Sequence, residues 1–218
     1  MPTPMDLVVR TAAFVVLMEL ILWPLELLWP RERPRFTPRA WLGDLGWLVA
    51  GVVTLNVVAA PIVSVLATRI PSASPSLWRL LASFLGAELL AYVLHRGMHE
   101  VPWLWRFHAL HHAPRQLDWL KTWRQHPLDL LLHALVVALP GLLLGASLSS
   151  LSSLVLLRRV YTALLHANLS LRWGVLEHIV VTPDFHHTHH ALDHQGRRGN
   201  YAGTFPWLDR LFGTWQRL

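Results

Sequence analysis

Histidines are the residues of this 218-residue chain whose types and spacing are best suited to chemistry. All fourteen lie between His95 and His194, and the first 94 residues contain none. Spacings of three and four residues place side chains on one face of a helix. Three clusters have these spacings: His95 with His99; His108 with His111 and His112; His186 with His189 and His190. The adjacent pair in each of the last two clusters lets neighbouring imidazoles serve two metal ions.

The three clusters predict a site for two metal ions. Eight imidazoles exceed the four ligands of one tetrahedral site. Imidazole suits Fe, Cu, Zn or Ni, and it does not suit Mg or Ca. The chain has no cysteine, which excludes thiolate zinc sites, disulfides and cysteine nucleophiles. Neither H-E-x-x-H nor E-x-x-H occurs, so a zinc-protease helix and a carboxylate-bridged di-iron bundle are not expected. His166, which follows an apolar stretch and returns to the side of the clusters, is the candidate for a ninth ligand.

The elements that must position these histidines are apolar helices. Apolar residues make up 53% of the chain and charged residues 15%, whereas a soluble domain carries about 25% charged residues. Residues 7–29, 45–68 and 77–94 are each about long enough to cross a bilayer. Residues 128–165 are predicted to form a membrane hairpin of two short helices. The predicted fold is an all-α integral membrane helical bundle with a cytoplasmic, histidine-rich di-metal helical cap.

We interpret residues 1–218 as a single domain. Within it, residues 1–94 hold the N-terminal transmembrane helices, and residues 95–218 form the histidine-rich catalytic region, with the hairpin at about 128–165. The net charge of +6 is interpreted as attraction to an anionic membrane surface, with no nucleic-acid partner, because arginines flank the apolar segments. The Arg and Lys bias predicts a cytoplasmic loop at 30–40 and cytoplasmic histidine clusters. Heavy use of Arg, Ala, Leu and Trp favours a bacterial inner membrane as the location.

Four segments resemble the motifs of the fatty acid hydroxylase/sterol desaturase superfamily of membrane di-iron enzymes. They are HRGMHEVPWLWRFHALHH, LDWLKTWRQHPLD, TPDFHHTHH and NYAGTFPWLDRLFGTW. The resemblance runs from about Glu88 to Trp215, and the order of the motifs makes it specific. Two positions depart from the family pattern: Glu88 stands where an aspartate is frequent, and Ala202 stands where glycine is common. Neither departure removes a candidate ligand.

The resemblance implies a membrane enzyme that uses O2 and a two-electron donor to hydroxylate a lipid C–H bond or to desaturate the lipid. It implies two Fe ions. The implied iron ligands are His95, His99, His108, His111, His112, His186, His189 and His190, with His166 as the ninth. No fused cytochrome b5-like domain is expected, so the electrons would come from a separate electron-transfer protein. The lipid substrate stays open among fatty acyl chains, sterols and related compounds.

Two other classes of protein are alternatives to the enzyme. A membrane metal transporter would distribute histidines through its spanning helices, whereas these cluster outside the apolar runs except for His133. A noncatalytic metal-binding protein would have lost ligands, and no motif here lacks one.

Several residues outside the ligand set are assigned supporting roles. Carboxylates expected to hydrogen-bond the ligands, with surface positions as the alternative, are Asp118, Asp184, Asp193 and Glu100. His126 is expected to support the site and His187 to face away from the metals. His133, His178 and His194 are interpreted as structural. Glu19 and Glu26 share one helix face and are functional suspects as intramembrane acids, although Glu26 lies near the membrane interface.

Overall fold

The computed structural model describes residues 4–33, 37–74, 76–171, 173–194 and 198–217. In chain order the helices are α1 (Pro4–Leu28), α2 (Pro38–Val53), α3 (Ala60–Ala67), α4 (Leu77–Glu100), α5 (Pro102–His112), α6 (Pro127–Leu143), α7 (Leu148–His166), α8 (Pro183–His194) and α9 (Trp207–Leu211). A π-helical segment, Thr54–Ala59, joins α2 to α3, and short 3₁₀ helices occupy Trp119–Trp123 and Gly174–His178. The described residues contain no β-strand, only an isolated bridge between Pro30 and Leu169. The all-α prediction is confirmed.

Three helical stretches among the described residues are long and apolar enough to cross a membrane: Pro38–Ala67, Leu77–Glu100 and Leu148–His166. The first begins earlier than the predicted segment 45–68, because Thr37 is extended and Pro38 occupies the first helical turn, where proline is favoured. The segment predicted to end at residue 94 continues to Glu100. The second half of the predicted hairpin is one of the three stretches, so it is longer than expected. Crossing by α1 stays a prediction.

Close packing among the helices comes from small residues at their contacts. A Cβ atom added at Gly86 of α4 would lie 3.0 Å from Cβ of Pro140 in α6, and one at Gly51 of α2 would lie 2.8 Å from the Trp123 ring. Ala87 and Ala91 of α4 pack with Val137 of α6. Because these side chains are small, α4 and α6 lie close along their length, which fixes how their site-bearing ends meet.

Polar contacts tie the chain together at one end of the bundle. Glu26, near the end of α1, is buried and accepts backbone N–H groups of Trp119 at 3.0 Å and Asn168 at 2.9 Å. The carboxylate of Asp209, fully buried, accepts the N–H groups of Tyr201 and Ala202. Glu26 is therefore a structural acid that connects α1 to two loops, and Asp209 fixes the segment after α8 over the same end.

Candidate metal centre

Helices α4 and α5 carry the first two histidine clusters. His95 and His99 lie one turn apart near the end of α4, which Val101 terminates in an extended conformation. Pro102 then starts α5, whose last two turns hold His108, His111 and His112. The break between two helices directs both clusters toward each other, and His99 and His108 have ring centroids 4.9 Å apart.

The third cluster comes from α8, and His166 comes from the end of α7. The carbonyl of Thr182 accepts the backbone N–H of His186 and its hydroxyl accepts the N–H of Phe185, so it caps the start of α8. His186, His189 and His190 then project from one face of that helix toward α5. Four helices therefore bring histidines to one centre. α4 and α7 contribute through their C-terminal ends, and α5 and α8 are short helices.

The nine predicted ligands lie in two groups, and in each group one nitrogen per histidine lies within 4.8 Å of all the others. The five-histidine group is His95, His99, His108, His112 and His189, and the four-histidine group is His111, His166, His186 and His190. The groups adjoin, because the rings of His112 and His190 stack with centroids 4.1 Å apart. Two neighbouring centres of nitrogen donors therefore exist where the spacing predicted a two-metal site.

Nitrogen separations in the four-histidine group fit a common ion. Nε2 of His166 lies 3.1 Å from Nε2 of His111 and 3.2 Å from Nε2 of His186, which in turn lies 3.2 Å from Nε2 of His190. Two nitrogens that each lie about 2.1 Å from one metal ion are about 3–3.4 Å apart. The four imidazoles thus present a donor set of the correct size.

Acceptors that fix the ring are described for His95, His108, His166 and His189. Nδ1 of His95 donates to the Tyr201 carbonyl at 2.7 Å. In the same way, Nδ1 of His166 donates to the Thr162 carbonyl and Nδ1 of His189 donates to the Gly199 carbonyl, both at 2.8 Å. A carbonyl oxygen only accepts, so the proton lies on Nδ1. The lone pair of Nε2 is then free to bind a metal, which is the usual arrangement of ligating histidines.

The fourth acceptor is Asp129, which the sequence reasoning missed. It is fully buried near the start of α6, and its two carboxylate oxygens each accept at 2.8 Å, one from Nδ1 of His108 and one from Nδ1 of His133. Buried Nε2 of His108 then has no hydrogen-bond partner among the residues that the structure describes. The sequence did offer a signal for this role. Asp129 lies three residues after His126, in the segment LDWLKTWRQHPLD that resembles the family.

The carboxylates that were expected near the ligands have other partners. Glu100 pairs with Arg96 at 2.8 Å, Asp184 pairs with Arg31, and Asp118 pairs with Lys121. The side chain of Asp193 lies outside the described residues. Of the two alternatives, the surface position fits the first three, because sequence proximity does not bring a partly exposed carboxylate over a buried ring.

The other histidines have separate roles. His187 is buried, but its Nε2 donates to the Ala167 carbonyl at 3.1 Å, so it faces away from both groups as expected. His126 caps α6 by accepting the Leu128 N–H. His178 is exposed and contacts Arg210. His133 supports Asp129, and the side chain of His194 lies outside the described residues.

Burial keeps four of the ligand candidates on α5 and α8 neutral. The pKa values of His111, His112, His186 and His190 lie well below the ordinary histidine value, first because burial removes water from the charged form. Repulsion between neighbouring imidazoles lowers the same pKa values further. Burial also lowers the pKa of His187 to about 4. Neutral imidazole is the form that binds metal ions.

Comparison with known proteins places the chain in a family. The model of the family described as fatty acid hydroxylase matches residues 80–214, more than half of the chain. The chain therefore belongs to the fatty acid hydroxylase family, a group that the histidine clusters and the helical membrane fold fit. No solved structure shows significant similarity to it.

Curated relatives give the range of lipids that similar proteins act on. An ornithine lipid hydroxylase of Rhizobium tropici is 33% identical over 157 residues, which are 72% of this chain and 47% of the relative. Alkylglycerol monooxygenase of Homo sapiens is 28% identical over 68% of this chain and 32% of its own length. A putative methylsterol monooxygenase of Dictyostelium discoideum is 27% identical over 66% and 54% respectively. The chain spans about a third to a half of these relatives.

Proposed function

We propose that this protein is a membrane di-iron oxygenase that hydroxylates a C–H bond of a lipid. The observation that carries the proposal is the pair of adjoining histidine groups at one end of a membrane bundle. One oxygen atom of O2 would enter the C–H bond and the other would leave as water, with two electrons and two protons supplied from outside the chain. A separate electron-transfer protein would be the electron donor.

Iron is the metal that fits both the ligands and the family. Imidazole nitrogen accepts Fe, Cu, Zn or Ni, but Zn has no redox chemistry, and the relatives are named hydroxylases and monooxygenases. The proposed ligands are the nine histidines of the two groups, five for one ion and four for the other. Bound iron would supply O2 activation and the oxidising power that an unactivated C–H bond requires.

The contribution of the chain is orientation and the exclusion of water. The carbonyls of Tyr201, Thr162 and Gly199, with Asp129, hold imidazole rings in one orientation, which is how such partners tune metal sites. A cavity of about 110 Å³ lies against His95, His108, His111 and His166. A lipid C–H bond placed there would lie beside both groups.

Hydroxylation is favoured over desaturation by the names of the relatives, and a transporter is disfavoured by the position of the histidines. All nine lie at one end of the bundle, so the described residues offer no series of imidazoles through the membrane. We place this end in the cytoplasm of a bacterial cell, at the inner membrane, on the strength of the Arg and Lys distribution.

Metal content is the first test of the proposed function. His186 and His187 are neighbours in α8, but only His186 belongs to a histidine group. We expect about two irons per chain in the detergent-purified wild type and in His187→Gln, and loss of iron in His186→Ala and His189→Ala. Equal iron in all four proteins, measured by mass spectrometry, would contradict the ligand assignment.

Lipid products are the second measurement. Extracts of expressing cells should contain a lipid heavier by one oxygen atom, absent from cells that express His186→Ala. Lipids lighter by two hydrogen atoms would instead show a desaturase with the same site. Wild-type protein that takes up no iron even under reducing conditions would overturn the oxygenase and favour a noncatalytic binding protein.

A further inference from the structure

Two neighbouring cavities share part of their walls, and one arginine lines both. The smaller is the 110 Å³ cavity beside the histidines. The larger is about 470 Å³ and lies between the π-helical segment, α6 and α7, a size typical of small-molecule pockets, which span roughly 300–1,000 Å³. Three residues line both cavities: Ala134, Val155 and Arg159.

The larger cavity is suited to a hydrocarbon chain. Its wall is largely aliphatic and includes Val52, Leu55, Val63, Leu151 and Leu156. π-Helical turns occur often at functional sites, and here the Thr54–Ala59 segment contributes to the wall. Along α7 the cavity runs from Arg159 to Leu148, about 16 Å at 1.5 Å per residue. A chain bound there would point away from the histidines.

Arg159 lies between this cavity and the candidate metal centre. It precedes His166 by seven residues, almost two turns, so both side chains leave the same face of α7 about 10 Å apart along its axis. Its Nη1 donates to Oε1 of Gln125 at 3.4 Å, and its guanidinium lies 5.5 Å from the centre of the Trp123 ring. Both contacts are with neutral groups.

The charge of Arg159 has no carboxylate partner among the described residues. The nearby Glu88 pairs with Arg158. Asp129 is occupied by His108 and His133. No carboxylate lines either cavity, so the half-buried Arg159 forms no salt bridge in its largely apolar surroundings, and Asp129 attracts it only at longer range.

A ligand anion would compensate this charge. Removal of a lone cation from water is unfavourable unless an anion or hydrogen-bond acceptors replace the water. The planar guanidinium binds a carboxylate or a phosphate through two parallel hydrogen bonds. The position of Arg159 at the end of the apolar cavity nearest the histidines matches an amphiphile with an acidic head.

We propose that Arg159 determines substrate specificity by binding the anionic head group, a carboxylate or a phosphate, of a lipid whose hydrocarbon chain lies in the larger cavity. This inference rests on the proposed function, because it takes the lipid as the substrate of that site. The head group then lies on the side of the metal centre and the chain extends toward Leu148, so the C–H bond that enters the 110 Å³ cavity belongs to the head-group end of the lipid.

Binding of matched single-chain lipids tests the inference without catalysis. Radiolabelled palmitate, palmitoyl lysophosphatidate and uncharged hexadecanol have the same chain length and are offered to the detergent-purified protein. We expect the wild type to bind at least one of the two anions about tenfold more tightly than hexadecanol, and the preferred anion identifies the acid. Arg159→Gln should lose about tenfold affinity for that anion and none for hexadecanol, while Arg159→Lys should retain part of it.

Arg79→Gln is the control, because Arg79 is partly exposed near the start of α4 and lines neither cavity. Equal wild-type affinity for both anions and hexadecanol would overturn the inference. This comparison needs no variant, so it remains decisive even if Arg159→Gln misfolds. Parallel loss of anion and hexadecanol binding in Arg159→Gln would also overturn it, since that points to cavity shape alone. Iron measured on the same samples separates the two proposals: iron with no charge selectivity contradicts only this one.

Discussion

At the residue scale, the orientation of each imidazole ring depends on the hydrogen-bond partner of Nδ1, the ring nitrogen that faces away from the candidate metal centre. Nδ1 of His95, His166 and His189 donates to backbone carbonyls that are fixed by the fold itself. His108 instead depends on a side chain, Asp129, which is shared with His133. Of these four partners, only that of His108 can be removed by substitution.

Asp129→Asn should therefore weaken metal binding. The amide replaces one of the two acceptor oxygens with an NH2 donor and carries no negative charge, so one histidine loses its acceptor and the other is held more weakly. Loss of such a partner typically lowers metal affinity about 10–100-fold. Iron retained against graded chelator concentrations measures the effect. Glu100→Gln is the control, because Glu100 is exposed and pairs with Arg96. Wild-type iron retention in Asp129→Asn would show that His108 is oriented by other contacts.

Contacts at the scale of elements decide which helix faces meet. The 3₁₀ helix Trp119–Trp123 packs against α2, where Gly51 leaves room for the Trp123 ring. The same ring lies beneath Arg159. The glycine thus affects both packing and the position of the arginine between the two cavities.

Gly51→Ala should destabilise the fold, and Gly46→Ala should not. A Cβ atom at Gly51 would lie 2.8 Å from the rigid Trp123 ring, and overpacking costs about 1–3 kcal/mol. Gly46 lies in the same helix with nothing within 4 Å of a new Cβ atom, so alanine there should be neutral or stabilise by up to about 1 kcal/mol. Thermal unfolding in detergent compares the two. An unchanged midpoint in Gly51→Ala would mean that the ring moves aside freely.

At the scale of the whole molecule, every candidate ligand lies at one end of the bundle. α4 and α7 reach that end through their C-terminal turns and α6 through its N-terminal turn, while the connections after α3 and α6 meet at the other end, where Ala73 N–H donates to the Gly145 carbonyl. The two ends of the bundle are therefore positioned to face opposite sides of a membrane.

Single-cysteine labelling tests which end faces the cytoplasm. The chain has no cysteine of its own, so Ser72→Cys at the far end and Arg115→Cys at the histidine end each carry a unique thiol, and both positions are exposed. A membrane-impermeant maleimide should label Ser72→Cys in intact cells and Arg115→Cys only after the membrane is opened. The reverse pattern would place the histidine groups outside the cytoplasm, against the Arg and Lys bias.

The sequence alone determined the helical class, the apolar segments and the identity of the nine candidate ligands. Those properties follow from local spacing. Residues three or four positions apart share a face of any helix, and apolar runs of about 20 residues are typical of membrane-spanning helices. The motifs resembling the family added the expectation of iron and O2. The single-domain description of residues 1–218 stays a prediction.

Only the tertiary structure decided how the histidines divide into groups of five and four and which partners hold them. His111 and His112 are adjacent in the chain but belong to different groups, because successive side chains on a helix point about 100° apart. Asp129 reaches His108 across 21 positions, and Arg159 meets Gln125 and Trp123 from a different helix. Such pairs depend on where whole helices pack, and no spacing within one segment contains that information.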